Sequence, residues 1–274
     1  ANFDIELVGK IGSMALINRE YQDINYNIIA RLSRELKPGY IWVTSGATEI
    51  GKLDYIKRNG KPLDGSEEDN KTDYAAQGQS VIMQTYRQFI DNRYSVRQIL
   101  VEHQHFNDDE KRRHLSEMLV RCPKQNAIPI INYNDAVCSE ENRKLEIVKI
   151  KQKNGRAIEC IDNDETASQI ACLVKCKMLL ILSTLDGIYN DISDENSLIE
   201  RVSGRDLYEL IDNVTELQNH CYGSNRQGSH GAKAKLEYIK EPLKNGTKVI
   251  IANSKYSIKD ILEGKVKSTT FGLN

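Results

Sequence analysis

Apolar, β-branched runs alternate with amphipathic stretches along the chain, which predicts a mainly parallel sheet with helices on its faces. The first run, FDIELVGKIG, precedes a helical pattern over about 20–36, where Ile24, Ile28, Ile29, Leu32 and Leu36 recur at helical spacing and Pro38-Gly39 stop it. A second strand, YIWVTSG, leads into a helix and then KRNGKPLDGSEEDNK, whose composition predicts a mobile loop. The spacing next predicts a helix over 74–92, the strand SVRQILVE, a helix over 108–121 and the strand AIPIINY. LEIVKIKQ and RAIECI flank Asn154-Gly155, which predicts an inserted β-hairpin. A helix over about 163–177, the strand MLLILST, a polar region over 191–206, a helix starting near Gly231, the strand KVIIAN and a short closing helix and strand complete the reading. No internal repeat interrupts it.

A chain of 274 residues is long enough for one large α/β domain or two small ones. Its 39% apolar and 28% charged residues are those of a globular protein rather than a disordered one. Basic and acidic residues nearly balance, 38 against 39, so bulk electrostatics does not favour nucleic acid as a partner. No apolar run approaches the roughly 20 residues that span a bilayer. The amino-terminal stretch carries acids where a secretory signal would carry bases, so a cytoplasmic protein without membrane partners is expected. The six cysteines lack a framework spacing and are expected as reduced thiols, with Cys172 and Cys176 packing rather than binding metal.

In an open α/β sheet, ligands bind beyond the carboxyl ends of the strands, so strand-to-helix junctions carry the candidate chemistry. Lys10-Ile11-Gly12-Ser13 places a lysine before a glycine that lets a ligand approach the backbone. Thr44-Ser45-Gly46-Ala47 opens a helix with small residues and leaves N–H groups free for an anion. Asn132-Tyr133-Asn134-Asp135 and Asp162-Asn163-Asp164 add amides and carboxylates. Taken singly, each of these also reads as an ordinary turn or helix cap, Asp162 as an N-cap included. A fifth segment, Gly228 to Leu236, sets Lys233 and Lys235 in the first turn of a helix, where the macrodipole disfavours them unless an anion is bound. The phosphate loop G-x-x-x-x-G-K-[ST] is absent, as is a clean G-x-G-x-x-G after the first strand. A kinase built on this chain must follow another design.

In this order, the segments resemble the amino acid kinase family, and within it the glutamate 5-kinase branch. VGKIGSMAL is similar to V-V-K-[IVL]-G-[ST], VTSGATEIG to V-[ST]-S-G-A-I-x-x-G, and DYAAQGQ to the A-A-x-G-Q helix. VRQILVEHQHFND is similar to Q-[ILMV]-L-L-T-x-x-D-[FM], IPIINYNDAV to I-P-[IV]-[IV]-N-E-N-D-[AT]-V, and DND to the centre of G-D-N-D. LLILSTLDGIY resembles the strand ending T-D-x-x-G-[LI]-Y, and GSHGAKAKL resembles G-T-G-G-M-x-T-K-L. The matches run from about Val8 to Phe271.

The resemblance implies a three-layer α/β/α sandwich around a mainly parallel sheet, a single domain over 1–274 with an acceptor half at about 1–177 and a nucleotide half at about 178–274. It implies transfer of a phosphoryl group from ATP, with Mg²⁺, to the side-chain carboxylate of L-glutamate, giving glutamyl 5-phosphate as the first step toward proline. By carry-over, Lys10 and Lys235 approach the transferring group and Asp164 holds them in place. Ser45, Asp135 and Asn163 contact the acceptor, with Gly12, Ser13, Gly46, Ala47, Asn132, Asn134 and Asp162 around them. Lys10, Ser183, Thr184, Gly187, Tyr189, Ser229, His230, Gly231, Ala232, Lys233, Ala234 and Lys235 surround the nucleotide, and no side chain is assigned as a metal ligand. A homo-oligomer without the C-terminal RNA-binding-like domain of some bacterial members is expected.

The pattern departs from the branch at Tyr133 (Glu there), at Ile161 (Gly), at Ser183-Thr184 (T-D), in the His230–Ala234 loop and in the lengthened segment between Val137 and Ile161. These departures leave open a same-fold kinase for another small acid or phosphate, or a silent relative that only binds nucleotide or amino acid.

Overall fold

A computed structural model of the chain describes residues 3–220 and 229–274, the side chains of Ser229 and His230 excepted. The elements run β1 (Leu7–Ile11), α1 (Ser13–Leu16), β2 (Ile17–Asn18), β3 (Asp23–Ile24), α2 (Tyr26–Ser33), β4 (Tyr40–Thr44), α3 (Ala47–Asn59), α4 (Glu67–Phe89), β5 (Ser95–Val101), α5 (Gln104–Asn107), α6 (Asp109–Arg121) and β6 (Ala127–Tyr133). They continue as α7 (Glu140–Asn154), α8 (Asn163–Val174), β7 (Met178–Ser183), β8 (Arg201–Gly204), α9 (Leu207–His220), α10 (Ser229–Lys244), β9 (Lys248–Asn253), α11 (Ile258–Leu262) and β10 (Ser268–Leu273). Eight of these strands make a mainly parallel sheet, and β2 pairs with β3 on its own. The expected α/β class is the observed one.

The chain divides into two compact units. The first comprises Ala1–Lys10, Gly39–Ile41 and Asp164–Asn274, and the second Ile11–Pro38 and Trp42–Asn163. In the first unit the strands run β1-β7-β9-β10-β8, with β7 parallel to β9, β10 antiparallel to β9 and parallel to β8. In the second, β5 and β4 flank β6, both parallel to it, with Trp42 opposite Ile130 and Leu100 opposite Asn132.

Sequence accounts for this arrangement directly. The strands β1, β4 and β6 are buried at every position, and such continuous apolar runs suit parallel strands covered on both faces. The edge strand β5 instead carries Arg97 and Gln98 and is only partly buried, which keeps its open side from recruiting another strand. Trp42, wholly buried, donates its indole N–H to the Tyr86 hydroxyl at 3.2 Å, and that hydroxyl meets Thr44 Oγ1 at 2.8 Å. Burial pushes the Tyr86 phenol up to about 12, so it stays a neutral hydrogen-bonding group.

Helices α3 and α4 touch backbone to backbone. A Cβ at Gly51 would lie 1.7 Å from the Tyr74 carbonyl oxygen, and one at Gly78 would lie 1.7 Å from the Ala47 carbonyl oxygen. Only hydrogen at both positions permits this approach, and it fixes where α3 begins.

The expected hairpin over residues 145–161 is corrected: most of that segment is α7. Ser139 caps it by accepting from the Asn142 N–H at 3.2 Å, Glu140 and Glu141 occupy its first turn, and Lys151 and Lys153 its last. These charges complement the helix dipole, and Gly155 at φ 74° closes the helix in the left-handed conformation, so Asn154-Gly155 is a helix stop rather than a strand turn. The loop expected before residue 74 is likewise shorter. Ser66 accepts from the Asp69 N–H at 3.1 Å, and with Glu67, Glu68 and Asp69 following, α4 starts at Glu67. The helix expected over 20–36 is divided, its start belonging to the β2–β3 ribbon. Strand β8 falls in the stretch read as a polar region, and α9 was not anticipated.

No helix among the described residues is long and apolar enough to cross a membrane. Replacing Gly78 with alanine forces α3 and α4 apart and should lower the unfolding free energy by about 3 kcal/mol, read by urea denaturation; an unchanged midpoint would refute the contact.

Candidate active site

In the first unit a buried carboxylate is shared by two lysines. Lys10 lies in the fully buried strand β1 and is itself 8% exposed, while Asp164, 5% exposed, sits in the first turn of α8, where the helix dipole favours an anion. Its Oδ1 lies 2.8 Å from Lys10 Nζ, and its Oδ2 accepts from Lys235 Nζ of α10. Burial penalises the Asp164 charge, but the attraction and hydrogen bonds of Lys10 and Lys235 outweigh it and hold the carboxyl below the ordinary range. Two ammoniums against one carboxylate leave an excess positive charge, suited to a further anion.

The other residues expected around a nucleotide also fall in the first unit. Ser183 Oγ accepts from the Leu185 N–H at 3.2 Å, and the Thr184 carbonyl accepts from Asn253 at 3.1 Å, so this turn is held from both sides. Gly187 packs against Thr269, whose Oγ1 accepts from the Ile188 N–H at 2.8 Å. Tyr189, with Leu185, Asp186, Lys255, Tyr256 and Lys267, lines a pocket of about 550 Å³. Gly231, Ala232, Lys233 and Ala234 form the first turns of α10, and the Lys233 carbonyl accepts from Gln218 at 3.1 Å. The side chains of Ser229 and His230 lie outside the described residues.

The residues expected to hold an acceptor all fall in the second unit. Gly12 and Ser13 open α1. Gly46, at φ 98°, is the N-cap of α3; the left-handed conformation suits only glycine there, and a Cβ would lie 2.9 Å from Leu16 Cδ1. No side chain caps that helix, so the N–H groups that begin with Ala47 lack a capping oxygen. Asn163 ties three segments together: its Nδ2 donates to Ser45 Oγ at 2.8 Å, to Asn132 Oδ1 at 3.1 Å and to the Thr44 carbonyl at 3.3 Å. Its own Oδ1 is buried and has no hydrogen-bond partner.

Asn134 is committed elsewhere, donating to Glu102 at 3.0 Å. Asp162 is exposed. Burial raises the Asp135 carboxyl to about 6, with the Arg143 charge lowering it and Glu49 raising it, and no hydrogen bond offsets the desolvation.

Sequence reasoning missed a network behind Asp135. Tyr133, 3% exposed, meets His103 Nδ1 at 3.3 Å and Cys138 Sγ at 3.2 Å. His103 Nε2 lies 2.7 Å from Glu146 of α7, yet burial still pushes the imidazole down. Arg143, also on α7, lies over the Tyr133 ring at 5.1 Å. Reading α7 as a hairpin concealed both charged residues; the signal that could have found them is the run Ser139-Glu140-Glu141, a cap followed by acids.

Among the described residues no three His, Cys, Asp or Glu side chains gather to hold a metal ion. The Asp164 carboxylate contributes stability above its unfolded pKa, and that contribution is lost as pH falls through the depressed folded value. Asp164→Asn leaves the lysines facing each other and should cost about 3 kcal/mol at neutral pH. The penalty should shrink as pH falls below the ordinary carboxylate range; urea unfolding across pH measures it, and a penalty independent of pH would refute the assignment.

Residues 7–253 match the amino acid kinase family. The chain is 28% identical to glutamate 5-kinase of Thermoanaerobacter sp. (strain X514), over 97% of this chain and 68% of the relative. It is 27% identical to glutamate 5-kinase of Clostridium perfringens, over 97% and 94%. Among solved structures, UMP kinase from Ureaplasma parvum aligns with a TM-score of 0.56 at 12% identity, covering 97% of each chain. An isopentenyl phosphate kinase substrate complex aligns with a TM-score of 0.56 at 12% identity, covering 98% of this chain and 100% of that one. At that identity the structural likeness establishes the fold alone. The family match spans nearly the whole sequence and includes the buried lysine–aspartate cluster and the Ser45–Asn132–Asn163 cluster: this chain belongs to the amino acid kinase family.

Proposed function

We propose that the chain transfers the γ-phosphoryl group of ATP to the side-chain carboxylate of L-glutamate, giving glutamyl 5-phosphate and ADP, a first step toward proline. The observation that carries this reading is the pair of unengaged acceptors in the second unit, the Asp135 carboxylate and Asn163 Oδ1. A buried amide oxygen without a donor beside a half-buried carboxylate that no hydrogen bond holds calls for a ligand that brings N–H groups. An amino acid's α-ammonium does so with a full positive charge; a prenyl phosphate has no N–H, and the uracil of UMP offers one neutral N–H. The two relatives named above, both glutamate 5-kinases, support the same acceptor.

The chemistry asks little of the protein beyond charge and alignment. A carboxylate with an ordinary pKa of about 4.3 is already ionised at neutral pH, so attack needs no general base. One of its oxygens forms a bond to the γ-phosphorus while the bond from phosphorus to the β–γ bridging oxygen breaks, and the electron pair leaves with ADP. Lys10 and Lys235 offset the negative charge on the phosphoryl oxygens, and Asp164 keeps both ammoniums fixed before the substrates arrive. With no cluster of acidic ligands among the described residues, Mg²⁺ would be held by the phosphates of the nucleotide, the usual mode for this ion. Bound there, it neutralises phosphate charge.

An ADP-release assay across L-glutamate, L-aspartate, UMP and isopentenyl phosphate should give turnover with glutamate, abolished in Lys235→Ala; an enzyme inert toward glutamate would end this reading. Asp135 must be ionised to receive an ammonium group, so kcat/KM for glutamate should rise with pH through about 6 and then level. Asp135→Asn should remove that limb of the profile together with most of the activity, and a limb retained in the variant would assign it to another group.

A further inference from the structure

A pocket of about 550 Å³ lies within the second unit between α7 and the start of α4, lined among others by Asp135, Thr48, Lys71, Cys138, Arg143 and Lys144. Two of its three bases are already matched. Lys71 Nζ lies 3.0 Å from Glu67 and Lys144 Nζ lies 2.7 Å from Glu140, each one helical turn away on its own helix. Arg143 has no carboxylate partner among the described residues. Its Nη1 donates to the Cys160 carbonyl at 2.9 Å and its plane lies over Tyr133, so the guanidinium is fixed while other N–H groups remain available. The helix that carries it is pinned by Glu146 on His103 and by the buried Ile147.

The same pocket holds Asp135 with no partner of its own. Of the other carboxylates on this pocket, Glu67 and Glu140 face the lysines, Glu68 accepts from the Glu141 N–H at 3.2 Å and Glu141 is exposed; Arg143 and the half-buried Asp135, which attract without forming an ion pair, complement a ligand bearing both charges. Glutamate's α-carbon carries such a pair, an ammonium and a carboxylate.

We propose that Arg143 is a specificity-determining residue that binds the α-carboxylate of the acceptor through its guanidinium fork, while Asp135 receives the α-ammonium. This inference rests on the glutamate reading given above. Arginine suits the task because its planar donors match a carboxylate in a bidentate fashion. Residues 140–154 thereby choose the acceptor without entering the phosphoryl chemistry.

The test compares L-glutamate with 4-aminobutyrate, which keeps the reacting carboxylate and the amine but lacks the α-carboxylate. The wild type should favour glutamate in kcat/KM. Arg143→Ala should lose about 10- to 100-fold with glutamate, through KM for the acceptor, with kcat and KM for ATP held. Measured well above pH 6, where Asp135 is ionised, its activity with 4-aminobutyrate should fall far less, so the preference collapses. Arg143→Lys, which keeps the charge but not the fork, should lie between the two and serves in place of the alanine variant if that variant melts early. An unchanged preference, or equal loss with both acceptors in a folded variant, overturns the anchor and leaves the glutamate reading standing. A wild type that does not phosphorylate glutamate overturns that reading and the anchor with it.

Discussion

A single carboxylate shared between two ammoniums is the constraint on which the charge balance of the first unit's interior depends. Asp164 is one residue into α8, Lys10 is near the end of β1, and Lys235 is in the second turn of α10. Asp164 gives both lysines one fixed counter-ion, Lys10 within the buried strand and Lys235 from the neighbouring helix. The carboxylate in turn stays ionised only because both lysines are present. Both lysines therefore stabilise the carboxylate in its charged state. The surplus positive charge is built in before any ligand binds, the condition under which electrostatic assistance costs no reorganisation during reaction.

The second unit follows a different logic, one of small residues and withheld partners. Gly46, Gly51 and Gly78 let backbone approach side chain or backbone more closely than any other residue allows, and so place the start of α3. Around it, Asn163 uses its donors to tie Thr44, Ser45 and Asn132 together but keeps its own oxygen unengaged. Folded proteins satisfy nearly all their buried polar groups, so an orphan acceptor in an otherwise well-bonded cluster is a feature that a ligand would complete.

The strands were the most legible part of the chain. Continuous apolar runs such as YIWVT and AIPIINY are buried at every position, and no helical or alternating period competes with them. Bringing Lys10 and Lys235 to one carboxylate was a different matter. They are 225 residues apart, no local pattern links them, and only ordered resemblance to a known family suggested that they meet Asp164. Where sequence reading failed, it failed for local reasons. LEIVKIKQ spaces its apolar residues so that strand and helix fit about equally, and the Asn-Gly that follows serves a hairpin or a helix stop alike; the cap at Ser139 decides in favour of the helix. Arg143 and Glu146 went unnoticed in consequence. Tyr133 looked like a substitution in an acceptor motif, and only its contacts with His103 and Cys138 reveal that it is packed as part of a buried network.

Of the fifteen positions in α7, Ile147 alone is buried, and Leu145 and Val148 stand out in solvent. A segment anchored by one apolar side chain and a few charged contacts contributes little to the free energy of the fold, and its opening is a local event rather than a global one. Its surface can therefore be rewritten by mutation at small thermodynamic cost, whereas the two lysines that share the Asp164 carboxylate cannot. On the reading proposed above, a change of acceptor would ask for edits to α7 alone, at little cost to the fold.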